Sequence, residues 1–298
     1  MTEVPLFSIV IPTYNRPKSL AECLTALTQL DYPHDRLEVI VVDDGSTMSL
    51  EPVVNPFRDS LTIALITQTN QGPATARNTG ASHAQGAYLA FTDDDCRPAP
   101  DWLTNFAVQF AKTPTALLGG HSLNALPSNL YSTASQTLID YIYWYYNISS
   151  NRPTFFASNN MALPTLLFHE VGGFNTTFPL AAGEDREFCH RWLHAGYPMQ
   201  YVPTARIHHA HQLSLKTYWK QHFNYGRGAY HFHCIRAQRD ASPMRVEPLS
   251  FYINLLTFPF SQLLKQPPIL ISLLLVVSQV AGVLGFVWEH RNQLASAA

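Results

Sequence analysis

The chain has 298 residues, enough for one large or two ordinary domains around a well-buried core. Its 19 Lys and Arg against 21 Asp and Glu give a net charge of −2, which excludes a surface coated in positive charge for nucleic acid. Charged residues are only 13% and hydrophobic residues 46%; that excludes a disordered chain and suits one that hides part of its surface in lipid or a partner.

The N-terminal residues lack a basic stretch followed by a long apolar one, so no signal peptide is expected and this part belongs in a reducing cytosol. Four scattered cysteines, Cys23, Cys96, Cys189 and Cys234, form no CxxC pair and give no sign of a disulfide framework or structural zinc. Short apolar runs at Phe7–Ile11, Leu37–Val42, Leu61–Ile66 and Ala87–Phe91 read as strands buried on both faces of a parallel sheet. Helical spacing or helix-start signals lie between them at Pro17–Leu30, Ser49–Phe57 and Pro73–Ala84. The alternation predicts an α/β fold with right-handed crossovers and a ligand site at the carboxyl ends of the strands. Polar clusters fall at those ends: Thr13-Tyr14-Asn15, Asp43-Asp44-Gly45-Ser46 and Asp93-Asp94-Asp95.

Three adjacent carboxylates repel one another unless a cation or donors compensate. Alternation along an extended segment would turn Asp93 and Asp95 to one ligand and Asp94 elsewhere. Such oxygen ligands suit Mg²⁺ or Mn²⁺ shared with a substrate phosphate; the alternative is a solvated acidic turn before a helix near Asp101-Trp102.

Residues 120–245 are irregular, with an aromatic run Tyr141–Tyr146 and an acidic helix start at Gly183-Glu184-Asp185. The aromatic run fits either stacking on sugar faces or a bilayer boundary. Ile207-His208-His209-Ala210-His211 lacks the HExxH pattern of a zinc hydrolase. Leu249–Leu264 is apolar but broken by Pro259, and reads as a tilted span or an interfacial helix. Ile269–Trp288 is 20 residues without a charge, a transmembrane candidate whose alternative is a buried core helix. Seven basic residues (Arg206, Lys216, Lys220, Arg227, Arg236, Arg239, Arg245) against Asp240 alone precede these runs. That bias predicts attachment to the cell membrane with the catalytic part on the cytoplasmic side.

The ordered set FSIVIPTYNRPKSL, VIVVDDGS, NQGPATARNTG, AYLAFTDDDC, FFASNNMALP, GGFN and GEDREFCHRW resembles glycosyltransferase family 2, the inverting nucleotide-sugar enzymes of the GT-A fold. The resemblance covers about residues 6–195 and implies a mostly parallel Rossmann-like sheet flanked by helices, within a catalytic domain over 1–245. Residues 1–120 would bind nucleotide-sugar and 121–245 the acceptor, with a membrane-associated segment at 246–298. It implies that Thr13, Tyr14 and Asn15 line the nucleotide pocket, Tyr14 against the base. Asp44 would meet the uracil of a UDP-sugar, supported by Asp43, unless Asp43 only caps its turn. Arg77 would touch base or diphosphate, the alternative being an ion pair, and Asp94 would reach the ribose. Asp95, helped by Asp93, would hold a divalent metal, with His208 or His211 as a possible third ligand. Asp185 is the expected general base with Glu184 beside it, at a helix N-terminus that favours the ionised form. Asn159 and Asn160 would sit by donor sugar and acceptor, or serve turn chemistry.

The implied partners are a nucleotide-sugar donor, a carbohydrate or lipid-linked acceptor and membrane lipids. Two other readings compete: a nucleotidyltransferase, which would carry a Gly-rich loop where Pro12-Thr13-Tyr14-Asn15 stands, and a non-catalytic nucleotide-sugar-binding protein, which would not need Glu184-Asp185. No QxxRW sequence follows the acidic pair and the apolar segment is short, so single additions are expected over export of a polymer.

Overall fold

Phe7–Thr13 is buried at every position and forms β1, the centre of the sheet in the computed structural model, which describes residues 4–149, 152–178, 182–241, 244 and 246–297. In chain order there follow α1 (Pro17–Leu27), β2 (Leu37–Asp43), α2 (Glu51–Val54), β3 (Ile63–Thr67), α3 (Pro73–Ser82) and β4 (Tyr88–Thr92). Next come β5 (Cys96–Pro98), α4 (Trp102–Phe110), β6 (Leu117–Asn124), α5 (Leu130–Tyr143), β7 (Asn160–Pro164), α6 (Thr165–Val171) and α7 (Glu184–His194). The chain closes with β8 (Met199–His209), α8 (Leu215–Asp240), α9 (Leu249–Thr257) and α10 (Pro268–Ala297).

The strands form one sheet in the order β3-β2-β1-β4-β7-β6-β8-β5. Pairs β1–β2, β1–β4, β2–β3 and β6–β8 are parallel, whereas β7 runs antiparallel to both β4 and β6 and β5 antiparallel to β8. The expected parallel half is therefore present, extended by a mixed half. β3 departs from the expectation of burial on both faces: it is one of the two edge strands, and it is only partly covered. Alternate β1 side chains feed opposite layers. Phe7, Ile9 and Ile11 pack with Leu20, Leu24 and Leu27 of α1, while Val10 faces the layer that holds Phe188 and Trp192 of α7.

The direction of each strand decides where polar residues meet. Because β7 is reversed, its first residue, Asn160, pairs with the last residue of β4, Thr92. β6 and β8 again run with β4, so Asn124 and His209 end on that same edge. The carboxyl ends of β1, β2, β4, β6 and β8 thus form one rim, as the crossover pattern predicts.

A third apolar cluster joins α5, α8, α9 and α10 through Leu138, Tyr141, Tyr218, Phe251, Ile271 and Leu275. Tyr141 is buried and donates to Phe251 O at 2.7 Å, and Tyr143 packs on Phe156 and Tyr201. Neither ring is available to stack on a sugar. Trp144–Ile148 continues α5 as a π-helical turn, which brings the Tyr145 and Tyr146 hydroxyls onto Glu247. The apolar run at 249–264 is not one helix: α9 ends at Thr257 and a 3₁₀ turn, Phe258–Ser261, follows at Pro259.

α10 is the one described helix long and apolar enough to cross a membrane, with 27 residues over Pro268–Leu294 and a mean hydropathy of 2.4. Only 28% of its most apolar window is buried, so it is not a core helix. Of the seven basic residues before it, Arg245 lies outside the described residues.

Candidate active site

The loop after β1 turns sharply. Asn15 adopts φ 55°, a left-handed conformation that Asn tolerates, and its side chain accepts from Thr47 N and Oγ1 at 2.9 and 3.0 Å. This ties the first rim loop to the second. Tyr14, 47% exposed, stands free beside it. Asp43 caps its turn by accepting from Ser46 N at 2.9 Å. Asp44 is buried and accepts from Gln68 Nε2, Gln71 N and Gly72 N at 2.8–2.9 Å. Three of the roughly four acceptor positions of that carboxylate therefore fix the entry to α3, and one remains for a ligand donor.

The acidic triplet does not continue the strand. β4 ends at Thr92 and the chain turns through Asp93–Asp95, closed by Cys96 N donating to Asp93 O at 3.0 Å. The strict alternation expected of an extended segment is lost. Asp94 and Asp95 share Arg16 Nη1, at 3.2 and 2.9 Å, while Asp93 meets Arg77 Nη2 at 2.7 Å. Thr13 Oγ1 also donates to Asp94, at 2.7 Å. Burial pushes the Asp94 carboxyl up to about 6 against Arg16 and Thr13. Burial acts the same way on Asp95, but His209 and Arg16 outweigh it and hold that carboxyl well below its usual range.

The histidine beside Asp95 is His209, with Nε2 3.3 Å from Oδ1; His208 and His211 were the residues expected there. The physical reason is strand alternation. Ala205 and Ile207 face the core, His209 follows on that face, and His208 points to solvent. His211 lies just past the strand with its ring 5.2 Å from that of His209. Asp95, Cys96 and His209 bring one ligand atom each within 4.8 Å of one another. A carboxylate and an imidazole suit Mn²⁺, and Arg16 already balances the negative charge where a cation would stand. The residues fit a divalent metal.

Arg77 is buried and crosses the site from α3. Its Nη1 meets Glu184 Oε1 at 3.3 Å, so one guanidinium links the acidic triplet to the start of α7. Glu184 is also buried and its second oxygen has no hydrogen-bond partner among the described residues. Burial raises the Glu184 carboxyl, Asp185 adds to the effect and Arg77 opposes it. Asp185, one residue on, is partly exposed and accepts from Arg186 N at 2.8 Å. Gly183, at φ 92°, makes the turn that places the pair there: a side chain would strike Gly228 O at 2.9 Å.

The two asparagines part company. Asn160 is fully buried, taking a bond from Trp102 Nε1 at 2.8 Å and donating to His121 O and Ala205 O. It staples β6, β7 and β8 and has no exposed surface. Asn159 lines a cavity of about 80 Å³ beside His209 and His211, with Ser122, Ser135, Gln221 and Tyr225. That lining carries no formal charge apart from the histidines, and Gln221 Oε1 is buried without a hydrogen-bond partner among the described residues.

Arg16, His209, Gln221 and Tyr225 are the site residues that sequence reasoning missed. Only His209 left a signal, the alternation Ala205, Ile207, His209.

Residues 8–175 match the sequence family described as Glycosyl transferase family 2, more than half of the chain. The chain belongs to that family. Residues 141–214 also match the family described as N-terminal domain of galactosyltransferase. A relative, Glycosyltransferase AglE of Haloferax volcanii, is 31% identical over 67% of this chain and 65% of its own length. Validoxylamine A glucosyltransferase of Streptomyces hygroscopicus subsp. limoneus is 30% identical over 72% of this chain and 55% of its own. The chain thus spans between half and two-thirds of these relatives. The mannosyltransferase PcManGT of Pyrobaculum calidifontis, solved with GDP-Man and Mn²⁺, superposes with a TM-score of 0.63 at 22% identity. The overlap covers 99% of this chain and 81% of that one. The likeness establishes the GT-A-type fold of this family-2 chain, with its mixed α/β sheet.

Proposed function

We propose that the protein is an inverting glycosyltransferase that moves a sugar from a nucleoside-diphosphate donor, a UDP-sugar in the first instance, to an acceptor hydroxyl. The observation that carries this reading is Arg77, which bonds Asp93 of the acidic turn, 16 positions on, and Glu184, neighbour of Asp185, 107 positions on. Donor-binding carboxylates and a candidate base are thereby held on one frame.

The base would be Asp185. It takes the proton of the acceptor hydroxyl as that oxygen bonds to C1, and the bond from C1 to the diphosphate breaks on the opposite side. Glu184, buried against Arg77, positions it. Asp95 and His209 would hold Mn²⁺ or Mg²⁺, which when bound supplies positive charge to the leaving diphosphate. Tyr14 and the open position on Asp44 would face the nucleotide. The 80 Å³ cavity is far below the roughly 300–1,000 Å³ of a drug-sized site; it would take substituents of one sugar ring. The transfer fits polysaccharide or glycolipid synthesis on a lipid-linked or carbohydrate acceptor, with the C-terminal segment at the membrane and the site on its cytoplasmic side.

The relative named for glucosyl transfer and the GDP-Man complex of the solved neighbour support this class of donor. A screen of UDP- and GDP-sugars for thermal stabilisation, with and without Mn²⁺, tests it: a nucleotide-sugar in excess of its Kd should raise Tm only when metal is present. No stabilisation by any nucleotide-sugar would contradict it.

A further inference from the structure

α10 carries two different faces. Its inner face packs side by side and parallel with α8. Tyr218 Oη donates to Leu274 O at 2.9 Å, Arg227 Nε to Glu289 at 2.6 Å, and His231 Nε2 lies 2.9 Å from Glu289. Glycines bring the two backbones together: a Cβ on Gly226 would stand 1.9 Å from Gly282 O, and one on Gly285 1.9 Å from Phe223 O. Its outer face exposes Ile269, Leu273, Val276, Val280, Val283 and Val287, a stripe with the spacing of one helix face. At 1.5 Å per residue that stripe is about 27 Å long.

α8 cannot follow α10 into a bilayer. Its Gln221 and Tyr225 line the cavity beside His209, and a Cβ on Gly228 would stand 2.0 Å from Ala182 O next to Gly183 and Glu184. α8 is a wall of the catalytic domain, and α10 lies along that wall. An α10 standing upright in a membrane would carry Lys216, Lys220 and the site itself into hydrocarbon, at several kcal/mol per charge. The surrounding charge points to what covers the stripe. Lys216, Lys220, Lys265 and Arg291 are exposed without a salt bridge among the described residues. The described acids of the C-terminal part are all engaged: Asp240 with His190, Glu247 with Tyr145 and Tyr146, Glu289 with Arg227.

We propose that α10 lies flat in the interface of an anionic lipid bilayer, outer stripe down, with both of its ends on the side of the catalytic domain. This deepens the membrane attachment proposed above and rests on it. The apolar stripe would enter the headgroup–acyl boundary while the basic residues meet lipid phosphates. The sequence pattern alone reads as a span because length and hydropathy do not register the partner helix on the inner face.

The test adds the purified full chain to sealed vesicles of phosphatidylcholine, with or without phosphatidylglycerol. Single cysteines at Ser261→Cys and Leu294→Cys, with Cys234→Ser to remove the partly exposed thiol, are labelled by a membrane-impermeant maleimide from outside. Both should label equally before lysis. Leu294→Cys labelling only after lysis would overturn the flat orientation and leave attachment standing; no binding to either vesicle would overturn attachment itself. Val276→Glu and Val283→Glu, exposed and so neutral for folding by Tm, should each weaken vesicle binding roughly ten-fold or more. Unchanged binding in both would remove the stripe from the contact. Lys265→Gln should lower the preference for phosphatidylglycerol about five-fold, near the worth of one basic residue at a charged surface. No preference in the wild-type chain would refute the anionic partner. Donor binding is not read in any arm, so these outcomes leave the transfer reading untouched.

Discussion

Arg16 Nη1 stands 2.9 Å from Asp95 Oδ2, while the other oxygen of the same carboxylate faces His209 Nε2 at 3.3 Å. One carboxylate is thus shared between a cation from the loop after β1 and an imidazole from the end of β8. The arginine side chain is half exposed, so the pair is a weak one. Arg16→Ala should remove this competing cation and tighten Mn²⁺ binding to the donor-free protein by up to about five-fold, the upper range for such an ion pair. Titration calorimetry with Mn²⁺ measures it, and weaker binding in the variant would show that Arg16 supports the metal site.

His209 and His208 make a direct comparison because they are adjacent. His209→Ala should weaken Mn²⁺ binding by at least about ten-fold, and Asp95→Asn by as much or more. His208→Ala, at an exposed position on the other strand face, should change it little. A larger loss at His208 would mean that the strand alternates differently.

Acid should loosen the join between α7 and α8. Glu187 is 1% exposed and holds Arg191 Nη2 at 2.8 Å and Arg239 Nη2 at 2.6 Å. Burial disfavours its charge, but the two arginines outweigh burial and keep the carboxyl below its usual 4.5. A carboxyl depressed on folding adds stability that is complete above the unfolded value and is lost as pH falls below 4.5 towards the folded one. Glu187→Gln should cost about 3 kcal/mol at neutral pH, the lower end for a broken buried pair. Its Tm should also fall less than that of the wild type below pH 4.5. A variant as acid-sensitive as the wild type would place the acid response elsewhere.

Contact between α8 and α10 depends on missing side chains. Gly226→Val should force the helices apart and cost about 1–3 kcal/mol, the range for overpacking. Thermal unfolding reads this directly; an unchanged Tm would mean that α10 is not docked on α8.

Much of this architecture was legible in the residues. β-branched runs buried on both faces read clearly because a central parallel strand needs apolar side chains on both sides, as Ile9 and Val10 show. The rim followed from strand direction: Thr13 ends β1 there, and Asp44 and Asp95 come just after β2 and β4. What escaped depended on tertiary partners. Asn160 looks like a ligand-loop residue in sequence, yet Trp102 and two distant carbonyls claim it. Arg77 reads in the sequence as a base or diphosphate contact or an ion pair, but only the fold brings Asp93 and Glu184 to it. The inner face of α10 was not legible, because nothing in its own sequence reveals that α8 covers it.

The central claim is tested most directly on Asp185→Asn, by measuring donor affinity, Tm and transfer rate on the same preparation. The substitution keeps size and hydrogen bonding near Arg186 N but removes the proton acceptor. Donor affinity and Tm should stay close to wild type, because the rim loops and the proposed metal-binding residues Asp95 and His209 are untouched. Transfer should fall by about 10²–10⁴-fold, the usual worth of a general base. An Asn variant that transfers at near wild-type rate would contradict the assignment.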